Sequence, residues 1–319
     1  MAVSFPRARP SRRRGTSVES RARSITITAY SERGVEMHTL HVAVDESAYS
    51  LRGIALGELL NRQLNGQLEL TSVATRVEKR REAVRKLLAK EGLERYQEAV
   101  RVEEGDAPAK ALARLAADPQ GLLCMTSHGR RPASELFLGS VAAEVVRHSN
   151  ALVVLCGPRF DSEAQACIET LMVCIDGSKL AEAVLPEAVA LARRLGAALQ
   201  LLHVVAIEPS SRSPLPQGIR DPETAEPAGH ADIMESGYVH ALASRIHDEH
   251  HFEADWEVLH GYEPAESIVS YLADQSNVMV VMTTHGRSGL SQLAAGSVSH
   301  EILHEAHCPV AVWRPPHRR

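Results

Sequence analysis

After residue 36 the chain alternates short apolar runs with amphipathic stretches. TLMVCID (170–176), LQLLHVV (199–205), NVMVVMT (277–283) and PVAVW (309–313) are continuous runs of Val, Ile, Leu and Met. Their length and lack of alternation predict parallel strands covered on both faces. Between such runs the period is helical. Leu180, Val184, Ala188, Leu191 and Leu195 step by four, four, three and four and align one apolar stripe. Strand and helix in strict succession predict an α/β fold with a parallel sheet wound by right-handed crossovers. Ligands of such sheets bind beyond the carboxyl ends of the strands.

The pattern occurs twice. HVAVDES (41–47) returns as MVCIDGS (172–178), so that Asp45 and Ser47 match Asp176 and Ser178 at an offset of 131. VEEGDAPAKAL (102–112) returns as VLHGYEPAESI (258–268), and MTSHGRRPASELFLGSV (125–141) as MTTHGRSGLSQLAAGSV (282–298), at offsets of 156 and 157. The extra residues fall between 204 and 258, where SSRSPLPQGIRDPETAEPAGH (210–230) has the Pro, Ser and Gly content of a flexible loop. The repeat predicts a disordered basic tail over 1–36, one domain over 37–157, a linker over 158–167, and a second domain over 168–315 with an insertion near 208–235. The two domains are expected to superpose about a pseudo-twofold axis, ALVVLC (151–156) facing PVAVW. One continuous sheet, or different strand orders in the halves, counts against the repeat.

Composition narrows the function. The 319 residues carry a formal net charge of −5 and are 44% hydrophobic and 24% charged, so the folded domains are not general nucleic-acid binders. Five scattered cysteines without C-x-x-C spacing suggest reduced thiols. No apolar run reaches the length of a membrane span. A soluble, cytoplasmic protein is expected, without membrane contact. The first 24 residues differ, with arginines at 7, 9, 12, 13, 14, 21 and 23 against Glu19 alone. This composition predicts a solvated tail; a tether or transit peptide is the alternative. Met37, just before the first strand pattern, is an alternative start of translation.

The candidate chemistry gathers at the predicted strand ends. Asp45 and Asp176 close the first strand of each copy, SHGR or THGR follows the fourth, and a Gly-Ser pair opens the last helix. A glycine lets backbone N–H groups approach an anion, and a serine at a helix N-terminus adds a hydroxyl and unpaired N–H groups. A carboxylate beside them can take ribose hydroxyls. Singly, each residue also has a plain structural role: Ser297 as an N-cap, Gly286 as a turn, Asp176 as a cap for the following helix.

With D-x-S after strand one, an HV pair in strand two, G-x-x-P before the next helix and H-G-(nine residues)-G-S-V, the chain resembles the universal stress protein family, in tandem. The resemblance implies two Rossmann-like adenine-nucleotide-binding domains, each with a five-stranded parallel sheet, facing each other through their last strands as an intramolecular pseudo-dimer. It implies ATP or another adenine nucleotide as ligand, with no metal beyond Mg²⁺ accompanying the nucleotide, and a stress-response sensor or regulator acting on a protein partner the sequence does not name. Carried over by position, it places Asp176 near the adenosine, Val204 against the adenine, and Gly286, Gly296, Ser297 and Val298 around the phosphates, with His285 as a turn residue or phosphate contact. The degenerate counterpart in the first copy is Asp45, Val73, His128, Gly129, Gly139, Ser140 and Val141. The family's first motif glycine is Thr126 in one copy and Thr283 in the other. The first copy alone has Glu46 in place of Gly177, which brings a carboxylate toward a polyphosphate, and Arg131-Pro132 where the second has Ser288-Gly289.

HEILH (300–304) matches the H-E-x-x-H signature of zinc proteases. The repeat argues against that reading, because the same helix in the first copy reads AEVVR (143–147) and manages without imidazole. At roughly 100° per residue His300, His304 and His307 share one face opposite Val298, Ile302 and Ala306, and they are expected to face solvent. No metal site and no dedicated catalytic residue are expected. A slow nucleotide hydrolase using the same cleft, and a ligand-free structural tandem, are the alternatives.

Overall fold

The computed structural model describes residues 39–128, 138–206, 229–284 and 297–315; for 206 and 229–235 only the backbone is described. The Arg-rich tail, Arg131-Pro132 and Ser288-Gly289 lie outside these residues. In the first half the order is β1 (Thr39–Ala43), α1 (Gly53–Leu64), β2 (Gln67–Ala74), α2 (Val77–Lys90), β3 (Val100–Glu104), α3 (Pro108–Ala116), β4 (Gly121–Thr126), α4 (Ser140–His148) and β5 (Val153–Cys156). The second half runs β6 (Thr170–Ile175), α5 (Lys179–Glu182), α6 (Leu185–Leu195), β7 (Ala198–Ala206), α7 (Gly229–His250), β8 (Ala254–Gly261), α8 (Pro264–Leu272), β9 (Val278–Thr283), α9 (Ser297–Glu305) and β10 (Val310–Trp313).

The continuous apolar runs became the inner strands: every residue of β4, β5, β9 and β10 is buried. β3 and β8 are the edges and carry Arg101, Glu103 and Glu104 or Asp255 and Glu257, charges that discourage pairing with another chain. Two apolar layers sandwich the sheet. Leu56, Val84, Leu191 and Val239 of α1, α2, α6 and α7 pack on one face. Ala111, Val145, Ile268 and Ile302 of α3, α4, α8 and α9 pack on the other. The helical stripe of the second copy is broken in two, because Pro186 stands in the first turn of α6 and has no N–H to continue α5. Gly196 ends α6 in the left-handed region at φ +64°.

The sheet has ten strands in the order β3-β2-β1-β4-β5-β10-β9-β6-β7-β8. Its continuity is the outcome set against the repeat, and the reason lies in one seam. β5 and β10 pair antiparallel, with Val310 opposite Leu155, Ala311 opposite Val154 and Val312 opposite Val153, whereas all other neighbours are parallel. Exchanging residues at the offset of 157 maps this ladder onto itself, so the pseudo-twofold axis passes through the Val154–Ala311 pair. The strand orders of the halves are identical outward from that axis, and two five-stranded parallel sheets meet edge to edge. The Trp313 indole N–H donates to Asn150 O across the seam (3.1 Å). The chain between the halves is tied to both: the Gln63 amide bonds Ile168 N (2.6 Å), Ile168 O and Leu195 O, and Arg52 donates to Pro158 O and Phe160 O.

Candidate functional site

The D-x-S motif folds the same way in both copies. Asp45 Oδ1 accepts from the Ser47 N–H (2.8 Å) and hydroxyl (2.5 Å), and the Ser47 oxygen accepts from Ser50 N–H, capping the short helix Ala48–Arg52. Asp176 Oδ1 accepts from the Ser178 N–H (2.9 Å) and hydroxyl (2.6 Å), while Ser178 caps α5 through Ala181 N–H (3.1 Å). A carboxylate, a turn and a helix start are thereby locked together just past the first strand.

Register brings the other residues to the same edge. Val44 N–H donates to Thr71 O (2.9 Å), which sets Asp45 beside the end of β2, where Val73 lies. Val42 stands opposite Cys124, so the end of β4 reaches the same side. Gly139 N–H donates to Ser127 O (2.7 Å) and pulls the start of α4, with exposed Ser140 and Val141, against that end. In the second copy Asp176 follows β6, Val204 lies near the end of β7, and Ser297 and Val298 open α9, Ser297 exposed and Val298 half-buried. Gly129, His285, Gly286 and Gly296 lie outside the described residues.

The copies differ in detail. Gly177 has φ +81°, in the left-handed region that a side chain resists, whereas Glu46 at the matching position has no positive φ. The Glu46 carboxylate lies 3.1 Å from Arg80 Nε of α2, so its charge is compensated rather than presented bare to a ligand. Val73 is buried, and Val204 keeps part of its surface open. Thr126 and Thr283, where the family has glycine, take ordinary backbone at the ends of β4 and β9 and are buried. The Thr126 hydroxyl donates to His128 O (2.5 Å).

His128 is only 3% exposed, with Nδ1 3.1 Å from Ser127 Oγ. Of His300, His304 and His307, expected to face solvent, His307 is exposed, whereas His300 and His304 are half-buried, their rings edge-to-face at 6.0 Å. Burial, then His304 and His128, hold the His300 pKa below its ordinary value. Among the described residues no three His, Cys, Asp or Glu side chains form a group that could hold a metal.

Sequence reasoning missed a polar cluster around the second aspartate. The Tyr238 hydroxyl donates to Glu182 Oε1 (3.0 Å), and Arg245 donates to Glu182 Oε2 (2.7 Å). The Tyr238 ring meets His203 edge-on at 5.8 Å, and His203 Nδ1 donates to Ile175 O at 2.8 Å. Burial, then Glu182 and Asp176, push the Tyr238 pKa upward. The buried stripe Val239, Leu242 and Ile246 was available as a signal for α7. The unmatched insertion before it concealed which residues of the helix meet the site.

Comparison with known proteins decides the family. The universal stress protein family model matches residues 26–156 and again 168–314. The chain belongs to the universal stress protein family. Universal stress protein YxiE of Bacillus subtilis is 29% identical over 145 residues, 45% of this chain and 97% of that protein. A universal stress protein structure from Archaeoglobus fulgidus aligns over 87% of this chain and 98% of its own, with a TM-score of 0.54 and 17% identity. One from Pseudomonas aeruginosa aligns over 89% and 95%, with a TM-score of 0.52 and 15% identity. The likeness to these structures extends through both copies and concerns the fold.

Proposed function

We propose that the second copy binds an adenine nucleotide, ATP foremost, and that the chain acts as a stress-response sensor or regulator whose output is a changed partner or conformation. Asp176 takes ribose hydroxyls, Val204 meets the base, and Ser297 with Val298 and the motif residues His285, Gly286 and Gly296 receives the phosphates. The observation that carries this reading is the loop Asp176-Gly177-Ser178. It presents a half-exposed carboxylate on a rigid turn and, at Gly177, no side chain toward the approach. Ser297, exposed in the first turn of α9, supplies a hydroxyl and helix N–H groups. A charge-assisted bond from it to phosphate contributes about 1.5 kcal/mol or more. Mg²⁺ accompanies the nucleotide as its counterion. The five cysteines are free thiols, which fits a reducing, cytoplasmic compartment.

The first copy is a weak or silent partner: Glu46 and Arg80 occupy the corresponding approach and Val73 is covered. Calorimetric titration of ATP, ADP, AMP and cyclic AMP tests the reading. One site per chain is expected, eliminated by Gly296→Val and little changed by Gly139→Val. Equal losses from both variants refute the asymmetry, and no heat with any nucleotide favours the ligand-free structural tandem.

A further inference from the structure

We propose that Tyr238 is a positioning residue for the ribose-binding carboxylate of the second copy, holding Asp176 through two converging routes; this rests on the nucleotide reading of that site. One route runs through a helix. The Tyr238 hydroxyl donates to Glu182 at the end of α5, and α5 is capped by Ser178, which donates both its N–H and its hydroxyl to Asp176. The other runs through the sheet. The Tyr238 ring packs edge-on against His203, and His203 bonds the carbonyl of Ile175, the residue before Asp176. Displacing Tyr238 therefore loosens Asp176 from both sides.

Arg245, about two turns further along α7, makes the arrangement rigid. It binds the second oxygen of Glu182, so the carboxylate cannot rotate away from the phenol. Glu182 is mostly buried (17% side-chain exposure), where a charge-assisted network is stiffer than on an open surface. Among the described residues the first copy shows no counterpart of this network. By the offset of 131 Glu182 falls on Leu51, and His203 on Ser72, whose buried hydroxyl has no hydrogen-bond partner among the described residues. Aligning the buried pairs Val84–Leu88 and Leu242–Ile246 sets Tyr238 over Arg80, which reaches Glu46 instead. The long helix of the second copy is coupled to its aspartate from behind, through Glu182 and His203, where that of the first reaches the residue beside the aspartate.

The test compares ATP with an ATP analogue lacking both ribose hydroxyls, because their affinity ratio isolates the contact made by Asp176. In the wild type ATP binds about tenfold tighter than the analogue. Tyr238→Phe, which keeps the ring and removes the bond to Glu182, brings the ratio down toward that of Asp176→Asn, as does Glu182→Ala. Glu182→Gln still accepts from the phenol and restores most of the ratio. A merely structural role lowers both affinities together and leaves the ratio intact; that result in Tyr238→Phe and Glu182→Ala overturns the proposal. A wild type that binds both ligands equally removes the ribose role of Asp176 and this inference with it. A wild type that binds neither overturns the nucleotide reading itself.

Discussion

The two copies share a fold and a D-x-S turn, yet different residues stand around that turn. In the first, a glutamate follows the aspartate and an arginine from α2 neutralises it. In the second, a glycine at φ +81° follows the aspartate, and the helix opposite supplies a tyrosine that grips α5. Both arrangements satisfy the local charges, so stability alone does not distinguish them. On the proposed reading they differ in what is left for a ligand: Glu46 and Arg80 stand beside the first aspartate, and Gly177 leaves no side chain beside the second. On that reading the first copy serves as scaffold, since β5 pairs with β10 whether or not the first cleft binds anything.

The seam itself breaks the symmetry and gives the largest expected effect. At Gly157 an added Cβ would lie 1.9 Å from the backbone carbonyl oxygen of Leu303, a contact no rotamer change can relieve. At the offset of 157 the matching position is Arg314, so the second copy accepts a full side chain there. Gly157→Ala is expected to destabilise the protein by about 2 kcal/mol or more through forced backbone movement, seen as a lower urea midpoint. Arg314→Ala is expected to cost less than about 1 kcal/mol. Equal shifts would mean that the halves can slide at the seam.

Ligand affinity comes next in size. Asp176→Asn keeps an acceptor for Ser178 and removes the charge, so the turn persists while the bond to ribose weakens. ATP affinity should fall by about tenfold to a hundredfold, equivalent to a charged hydrogen bond of roughly 1.5–3 kcal/mol. Asp45→Asn should change it less than twofold. A similar fall in both variants would erase the distinction between the clefts.

A gain of function sharpens the comparison further. Glu46→Gly recreates the second copy's loop in the first and leaves Arg80 facing the cleft. Weak additional nucleotide binding, a stoichiometry above one per chain by calorimetry, is the expected result. Stability should change by less than about 1 kcal/mol, because the Glu46–Arg80 pair is partly exposed. Stoichiometry that stays at one places the obstacle elsewhere in the first cleft.

The fold was legible because its signals are local or repeated. Apolar runs such as NVMVVMT have nowhere to go but an inner strand, and the offset of 157 between the last strands already contained the symmetry of their pairing. The joining of two sheets into one was harder to see, since periodicity reports which faces are buried and not which edges meet. The D-x-S turn was legible as a motif with two meanings: the hydrogen bonds show the structural one, Asp176 anchoring the cap of α5, and the ligand-binding one belongs to the proposed function. Tyr238, Glu182 and Arg245 were not legible. They lie up to 63 positions apart, belong to no spacing rule, and follow an insertion that has no counterpart in the first copy. Exposure also departed from helical geometry at His300 and His304, both half-buried, because a wheel places a residue on a face without saying what the rest of the protein packs against that face.

The smallest expected effect concerns acid. His41 in β1 is buried, with Nδ1 3.2 Å from Thr71 Oγ1 and 3.7 Å from Glu69, while the second copy has Met172 at this position. Burial lowers the His41 pKa below 6.5, and Glu69, Asp118 and Glu103 offset that only in part. In the unfolded chain the imidazole takes up its proton near its ordinary value, so between that value and the lowered one the unfolded state binds more protons. Stability from the neutral folded imidazole is therefore complete above pH 6.5 and is lost as the pH falls through the folded pKa. His300, lowered by burial, His304 and His128, adds to the same slope from the second half. His41→Met, which writes the second copy's residue into the first, should shift the baseline at pH 8 by the loss of the Thr71 contact and flatten the decline between pH 6.5 and 5. Urea midpoints at four pH values measure both. A decline as steep in His41→Met as in the wild type would assign the acid sensitivity to the His300 side of the seam and remove the first copy from it.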